Sequence, residues 1–136
     1  MALLKRRKFR SGEYDEILKT TRMYYKTFAD SYVDFYENWL KEGGPFSDPE
    51  YRKGYETVAN LLSSTLKPDE KIVDVGCGVG VWSTLMAEKG AYVVSIDNLS
   101  RMLQRSSERL KKFGLESKTL LILSEGVPSS IQGWLF

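Results

Sequence analysis

The sequence contains no histidine and a single cysteine, Cys77, among its 136 residues. One cysteine excludes an internal disulfide, and the two counts together leave too few ligands for a structural zinc site. They also exclude every catalytic arrangement that pairs a nucleophile with histidine. Carboxylates, lysines and tyrosines remain as candidate proton carriers.

Long apolar runs are also missing, since none approaches the roughly 20 residues that a membrane-spanning helix needs. The short apolar start, Ala2 to Leu4, is too brief for the core of a signal peptide. The chain has no internal repeat and no low-complexity segment, and its apolar fraction of 42% is typical of a soluble globular protein. We therefore expect one domain and a cytoplasmic location.

Acidic residues are absent from the start of the chain, which carries five positive charges within ten residues, although the whole chain has a net charge of only +2. These charges are Lys5, Arg6, Arg7, Lys8 and Arg10. Such a segment predicts a flexible basic arm over residues 1–12 that could bind RNA or another anionic partner. The alternative is a solvated terminus with no partner.

An N-terminal helical region is predicted over residues 13–67. Apolar positions keep helical spacing from Gly12 to Leu40, which indicates one long helix or two joined ones, ended by Gly43-Gly44-Pro45. We expect its many aromatic side chains to pack mainly against a sheet, with some at a ligand site. A second helix is predicted from Pro49 to Leu66.

The core, residues 68–123, alternates between short apolar runs and helical patterns. This alternation predicts an α/β fold with a Rossmann-like parallel sheet, N-terminal helices and about three strands, hence an incomplete sheet. The expected elements are strand Lys71–Val75, helix Val79–Lys89, strand Ala91–Ile96, helix Ser100–Phe113 and strand Thr119–Leu123.

A glycine turn follows the first predicted strand and allows two kinds of ligand. A dinucleotide site uses three glycines, the last of them where this chain has Val81. Asp74 also stands two residues before the first glycine, where a carboxylate would repel a pyrophosphate but could hold an ammonium, directly or through water. Val81 in place of the third glycine and the carboxylate of Asp74 both disfavour a dinucleotide. Asp97, at the tip of the next strand, suits a nucleoside.

At these positions the sequence resembles class I S-adenosylmethionine-dependent methyltransferases. Asp74–Gly80 resembles their DxGxGxG motif, and Asp97–Leu103 resembles their DxSxxML segment with one extra residue before the serine. Upstream, Tyr24-Tyr25 and Ala29–Tyr32 resemble the aromatic helix of the ubiquinone/menaquinone-type subgroup, with Val33 in place of its usual aspartate. The resemblance runs from about Tyr24 to Leu123.

The resemblance implies S-adenosylmethionine as cofactor and methyl transfer to a small-molecule acceptor as activity. Asp97 would accept both ribose hydroxyls, unless it only caps the next helix. The turn glycines would face the methionine part, Asn98 and Met102 the adenine, and Tyr24 and Tyr32 would close over the ligand. The candidate cofactor-binding residues are Asp74, Gly76, Cys77, Gly78, Gly80, Asp97, Asn98, Met102, Tyr24 and Tyr32. No catalytic residue is assigned, because methyl transfer needs mainly positioning.

The tail, residues 124–136, matches neither a helix nor a strand pattern, so we expect an irregular segment. Shifting its reverse translation by one nucleotide near Glu125 yields a family-like continuation, which suggests a frameshift and a domain truncated after the third strand. The encoding DNA tests this. Besides an active methyltransferase with a small-molecule acceptor, two alternatives remain. The chain could be a non-catalytic nucleoside-binding or interaction fragment, or it could be an RNA methyltransferase.

Overall fold

A computed structural model describes residues 12–37 and 48–132. Its helices and strands are, in chain order, α1 (Glu13–Glu37), α2 (Pro49–Thr65), β1 (Lys71–Val75), α3 (Val81–Glu88), β2 (Tyr92–Asp97), α4 (Ser100–Lys112), β3 (Thr119–Leu123) and α5 (Ser129–Gln132). The basic arm and the segment predicted to end the first helix lie outside these residues. The crossover helix begins two residues later than predicted, because the turn continues through Gly80.

The sheet has three parallel strands in the order β1-β2-β3, which confirms the predicted fold class. Strands β1 and β3 have the predicted bounds, whereas β2 is shifted by one residue and includes Asp97. In the register, Val75 pairs with Ile96 and Asp97 pairs with Leu123. All three carboxyl ends therefore meet at one edge of the sheet, where ligands bind in open α/β folds.

One face of the sheet is covered by the helices. Its core joins buried residues of α3 and β2 to half-buried residues of α2 and β1. These residues are Met86, Ala87, Ala91 and Val93, with Leu62, Leu66, Ile72, Trp82 and Leu115 packed against them. The ring of Trp82 stacks on that of Tyr55 with centroids 5.1 Å apart, which joins α3 to α2.

The opposite face is covered mainly by the tail. Ile131 of α5 packs on Val94 and Ile96, so the expectation of a wholly irregular tail was wrong for Ser129–Gln132. A four-residue helix carries too few positions for a helical period to show in the sequence. Away from this contact the face remains exposed, and Leu120 is 52% exposed.

Helix α1 rests on the body through few side chains. Ala29 is 1% exposed and packs on Val79 and Met102. The expected packing of its aromatics against the sheet was wrong for the four whose side chains are described, because α1 lies on α4 and leaves them exposed. They are Tyr14, Tyr24, Tyr25 and Phe28.

Other helical predictions were correct in position but not always in burial. On α4, Met102, Leu103 and Leu110 are buried, whereas Phe113, at the predicted end of the helix, lies just past the last turn and is exposed. On α2, no residue is fully buried, since only its C-terminal half approaches the sheet. Among the described residues, no helix has the length and apolarity that crossing a membrane requires.

Candidate functional site

The glycine turn after β1 is fixed to the tip of β2 by backbone hydrogen bonds. The N–H groups of Gly76 and Cys77 both donate to the carbonyl of Ile96, at 2.8 and 3.0 Å. The N–H of Gly78 donates to Oδ2 of Asp97 at 2.9 Å. The turn and Asp97 therefore form one structural unit, although 19 residues separate Gly78 from Asp97 in the sequence.

Asp97 contacts the residue that precedes α4 and also lies beside a cavity. Its Oδ1 accepts the N–H of Leu99, the N-cap residue of α4, at 2.9 Å, and its binding of ribose hydroxyls stays a prediction. Its side chain is nonetheless at the surface of a cavity, with the residue 9% exposed. A carboxylate has about four lone-pair sites, so each oxygen keeps capacity for a ligand hydroxyl after these two backbone contacts.

Two adjoining cavities lie over the turn. The first, about 240 Å³ and called here the turn cavity, is bordered by Cys77, Val79, Val81 and Trp82. The second, about 270 Å³ and called the strand-tip cavity, is bordered by residues of the β2–α4 connection and of α1, namely Asp97, Asn98, Leu99, Thr21 and Arg22. Four residues border both: Tyr25, Gly76, Gly78 and Met102.

The three glycines of the turn serve two different purposes. A Cβ atom added at Gly76 or Gly78 would meet nothing within 4 Å, so a ligand can approach the backbone there. A Cβ atom added at Gly80 would lie 2.2 Å from Oγ of Ser106. Gly80 borders neither cavity and instead allows α3 to approach α4. Of the three glycines predicted to face the ligand, only Gly76 and Gly78 therefore border a cavity, and their contact with a ligand stays a prediction.

Asp74 lies beneath the turn rather than in either cavity. Oγ of Ser95 donates to Oγ of Ser83 at 2.7 Å, and Ser83 donates to Oδ2 of Asp74 at 2.6 Å. Burial raises the pKa of the Asp74 carboxyl, the hydrogen bond from Ser83 lowers it, and the charge of Asp97 raises it. This buried chain joins β1, α3 and β2, so Asp74 holds the base of the turn. Its contact with a ligand ammonium remains a prediction.

Cys77 is a small buried residue of the turn, as expected. Burial, followed by the charges of Asp74 and Asp97, raises the pKa of its thiol to about 12. A thiol with such a pKa stays protonated near neutrality and is a poor nucleophile. Its backbone contributes to the turn, while its side chain borders the turn cavity.

The other candidate cofactor-binding residues differ in whether they border a cavity. Asn98 and Met102 border the strand-tip cavity as expected for an adenine site. Tyr24 borders neither cavity, and its neighbour Tyr25 borders both. The side chain of Tyr32 lies outside the described residues. Successive helical residues point about 100° apart, so the docking of α1 decides which tyrosine of the pair borders the cavities. The closure of Tyr24 and Tyr32 over a ligand stays a prediction.

Arg22 and Trp82 were not predicted as cavity residues. Arg22 of α1 forms an ion pair with Glu125, just after β3, so α1 is tied to the edge of the strand-tip cavity. No local pattern in the sequence indicates this pair, because the two residues are 103 positions apart. Trp82 could have been noticed as an aromatic residue directly after the turn.

Comparisons with known proteins agree with this geometry. Residues 66–123 match the family described as "Methyltransferase domain". Over 81 residues the chain is 33% identical to a "Probable cobalt-precorrin-6B C(15)-methyltransferase (decarboxylating)" of Methanococcus maripaludis, covering 60% of this chain and 42% of that protein. Over 71 residues it is 28% identical to the "23S rRNA (uracil(1939)-C(5))-methyltransferase RlmD" of Shewanella sediminis, covering 52% of this chain and 16% of that one.

A solved structure extends the likeness of fold. A putative S-adenosyl-L-methionine-dependent methyltransferase from Methanococcus maripaludis superposes with a TM-score of 0.59, covering 76% of this chain and 44% of that one, at 13% identity. The chain spans less than half the length of these relatives.

Fold and site together define an α/β domain with an open parallel sheet and two adjoining cavities over its glycine turn. Residues 66–123 of this domain match a methyltransferase-domain family, and over part of its length the chain is similar to S-adenosylmethionine-dependent methyltransferases.

Proposed function

We propose that this chain binds S-adenosylmethionine across the two cavities and transfers its methyl group to a small-molecule acceptor. The observation that carries the proposal is the convergence of Asp97 with the turn: a buried carboxylate, held by Gly78, borders a cavity beside open backbone. This pairing suits a ligand with ribose hydroxyls at one end and a compact polar group at the other.

The residues fit the cofactor on independent grounds. The lone pairs left on the Asp97 carboxylate are acceptors for hydroxyl groups, and Asn98 and Met102 border the same cavity. The open space over Gly76 and Gly78 admits a ligand close to the backbone. Negative charge from Asp74 and Asp97 favours a cationic ligand over a pyrophosphate, which argues against a dinucleotide.

When bound, the cofactor supplies a methyl group on a sulfonium sulfur, which is already a good leaving group. The residues of this chain then have three tasks: to orient the cofactor, to exclude water and to position the acceptor. An acceptor whose nucleophilic atom carries a free lone pair at neutral pH needs no general base for this transfer, so such an acceptor suits a site that works by positioning.

Calorimetry with S-adenosylhomocysteine and with NAD tests the cofactor. We expect S-adenosylhomocysteine to bind more tightly than NAD, and the reverse order would overturn the proposal. Asp97→Asn should weaken S-adenosylhomocysteine binding at least about tenfold, since a charged acceptor is replaced at a buried site. A thermal melt of the variant must accompany the titration, because Asp97 also accepts two backbone N–H groups.

A second candidate acceptor is RNA, which the five basic residues of the first ten favour. Removing residues 1–10 should then reduce both RNA affinity and its dependence on salt. Unchanged RNA binding would leave the arm without this role. A third reading, a nucleoside-binding fragment without turnover, predicts cofactor binding together with no methyl transfer to any acceptor tested.

A further inference from the structure

The two cavities share a boundary formed by four residues, and one of them is an aromatic side chain from outside the sheet. Gly76, Gly78 and Met102 belong to the turn and to α4, whereas Tyr25 comes from α1. A residue that borders both cavities lies where they join. Among the described residues of α1, Tyr25 alone borders both cavities, so it lies beside whatever connects a ligand group in one cavity to a group in the other.

The inference rests on the proposed function, which places a particular atom of the cofactor at this junction. With the nucleoside beside Asp97 and the amino-acid part beside the turn, the atom that joins the two parts is the sulfur. In the methyl donor this sulfur is a sulfonium with a positive charge, and in the demethylated product it is a neutral thioether. A side chain at the junction therefore lies near the one atom whose charge differs between the two ligands.

We infer that Tyr25 discriminates the charged methyl donor from its neutral product, by presenting its ring to the sulfonium at the boundary between the cavities. An aromatic ring attracts a cation through its quadrupole and has no comparable attraction for a neutral thioether. Product release is favoured for the same reason, because the ring loses its electrostatic partner once the methyl group has left.

The surroundings of the junction support a cation there. Among the described residues that border the turn cavity, none is a lysine or an arginine. The carboxylates of Asp74 and Asp97 act on the same region, where both raise the pKa of the Cys77 thiol. Arg22 borders the strand-tip cavity, but its guanidinium is paired with Glu125. These side chains therefore favour a cation over an anion at the junction.

The test is the ratio of affinities for S-adenosylmethionine and S-adenosylhomocysteine, measured by calorimetry on the full chain. A ratio taken within one variant cancels any loss of folded protein. Tyr25→Leu should shift the ratio about fivefold towards the product, the size expected for a partly exposed cation–π contact. Tyr25→Phe should keep the wild-type ratio, because it retains the ring and loses only the hydroxyl.

Two other tyrosines of α1 make the comparison specific. Tyr14→Leu is the matched control, since Tyr14 is exposed on the same helix and borders neither cavity. It should leave the ratio unchanged. Tyr24→Leu tests the neighbouring ring, which is 51% exposed and packs on Phe28 with centroids 4.8 Å apart. A shifted ratio in Tyr24→Leu with an unshifted one in Tyr25→Leu would overturn the inference.

The failure of this inference is distinguishable from the failure of the proposed function. If the wild-type chain binds neither S-adenosylmethionine nor S-adenosylhomocysteine, the proposed function fails and the role of Tyr25 fails with it. If both ligands bind and Tyr25→Leu weakens them equally, the cofactor site stands and Tyr25 is only a packing contact.

Discussion

The glycines of the turn differ at the scale of single atoms, and this difference predicts different consequences for the same substitution. Gly80 has a φ of +78° and Ser106 lies against it. Gly80→Ala should therefore destabilise the fold by about 3 kcal/mol or more, combining left-handed strain with overpacking. Urea denaturation of the variant, compared with the wild-type chain, measures this loss.

Gly76→Ala is the matched control, because its φ is +76° but open space surrounds the added methyl group. It should lower stability by only about 1 kcal/mol, from backbone strain alone. Ser106→Ala in the Gly80→Ala background should restore part of the loss by removing Oγ, while Cβ of Ser106, 3.0 Å from the added atom, remains. Equal losses at Gly76 and Gly80 would contradict this account.

Cys77 should react slowly with thiol reagents in the folded chain. Its thiol is buried and has a pKa of about 12, so labelling at mildly alkaline pH should be at least about 100-fold slower than for the unfolded chain. The raised pKa means that this group contributes stability below its unfolded pKa, and that the contribution is lost as pH rises towards 12. Labelling at the rate of a free thiol would show that the turn opens readily.

For single residues, the sequence allowed a prediction where the residue's role depends on its neighbours along the chain. Asp97 was identified from its place at the end of an apolar run, and Gly76 and Gly78 from their spacing. The contact of Gly80 with Ser106 involves a residue 26 positions away, which no local pattern specifies. The choice between Tyr24 and Tyr25 likewise depends on the docking of a whole helix.

Among the elements, α1 is the one held most by charge. Asp30 accepts hydrogen bonds from Arg101 at 2.7 Å and from Arg105 at 3.1 Å, both on α4. Asp30→Asn should accelerate hydrogen exchange across residues 13–37 relative to α4. Salt near 1 M should accelerate exchange in the wild-type chain more than in the variant, because exposed ion pairs are screened.

Asp15→Asn provides the control, since Asp15 lies in the first turn of the same helix, far along it from Asp30. It should leave exchange of the docked part of α1 unchanged. The hydrogen bond from Arg105, followed by the one from Arg101, holds the pKa of the Asp30 carboxyl below its ordinary value of 3.8. The contribution of Asp30 to docking is therefore present above that pH and is lost on further acidification. Identical exchange in the two variants would mean that the ion pairs of Asp30 do not contribute to the docking of α1.

Element bounds were predictable where strong local signals coincide. Pro68 and the apolar run from Ile72 set β1, and Gly90 separates α3 from β2. Burial was less predictable: Phe113 continues the helical period of α4, but the helix ends before that position reaches the sheet. The short α5 was missed because its one buried residue, Ile131, is defined by a partner across the chain.

The whole molecule has two unequal faces. Helices α3 and α4 cover one side of the sheet, whereas the other side is covered chiefly by Ile131 and Val127. Strand β1 is an edge strand of the described sheet, so its outer backbone groups have no strand beside them among the described residues. Exposed edges and apolar faces favour association between chains.

The exposed apolar face predicts that the chain has a low solubility. Charged substitutions on this face should raise it. Val75 and Leu120 lie on this face and are 59% and 52% exposed. Val75→Lys combined with Leu120→Lys should raise the solubility limit and reduce fluorescence of a bound apolar dye, with little change in Tm, because neither side chain is buried. The control is Leu61→Lys on α2, which is 60% exposed but isolated from the face. Single exposed apolar residues are ordinary in folded proteins, so this change should matter less. If Leu61→Lys improves solubility as much as the double variant, general charge rather than the uncovered face limits the solubility of the chain.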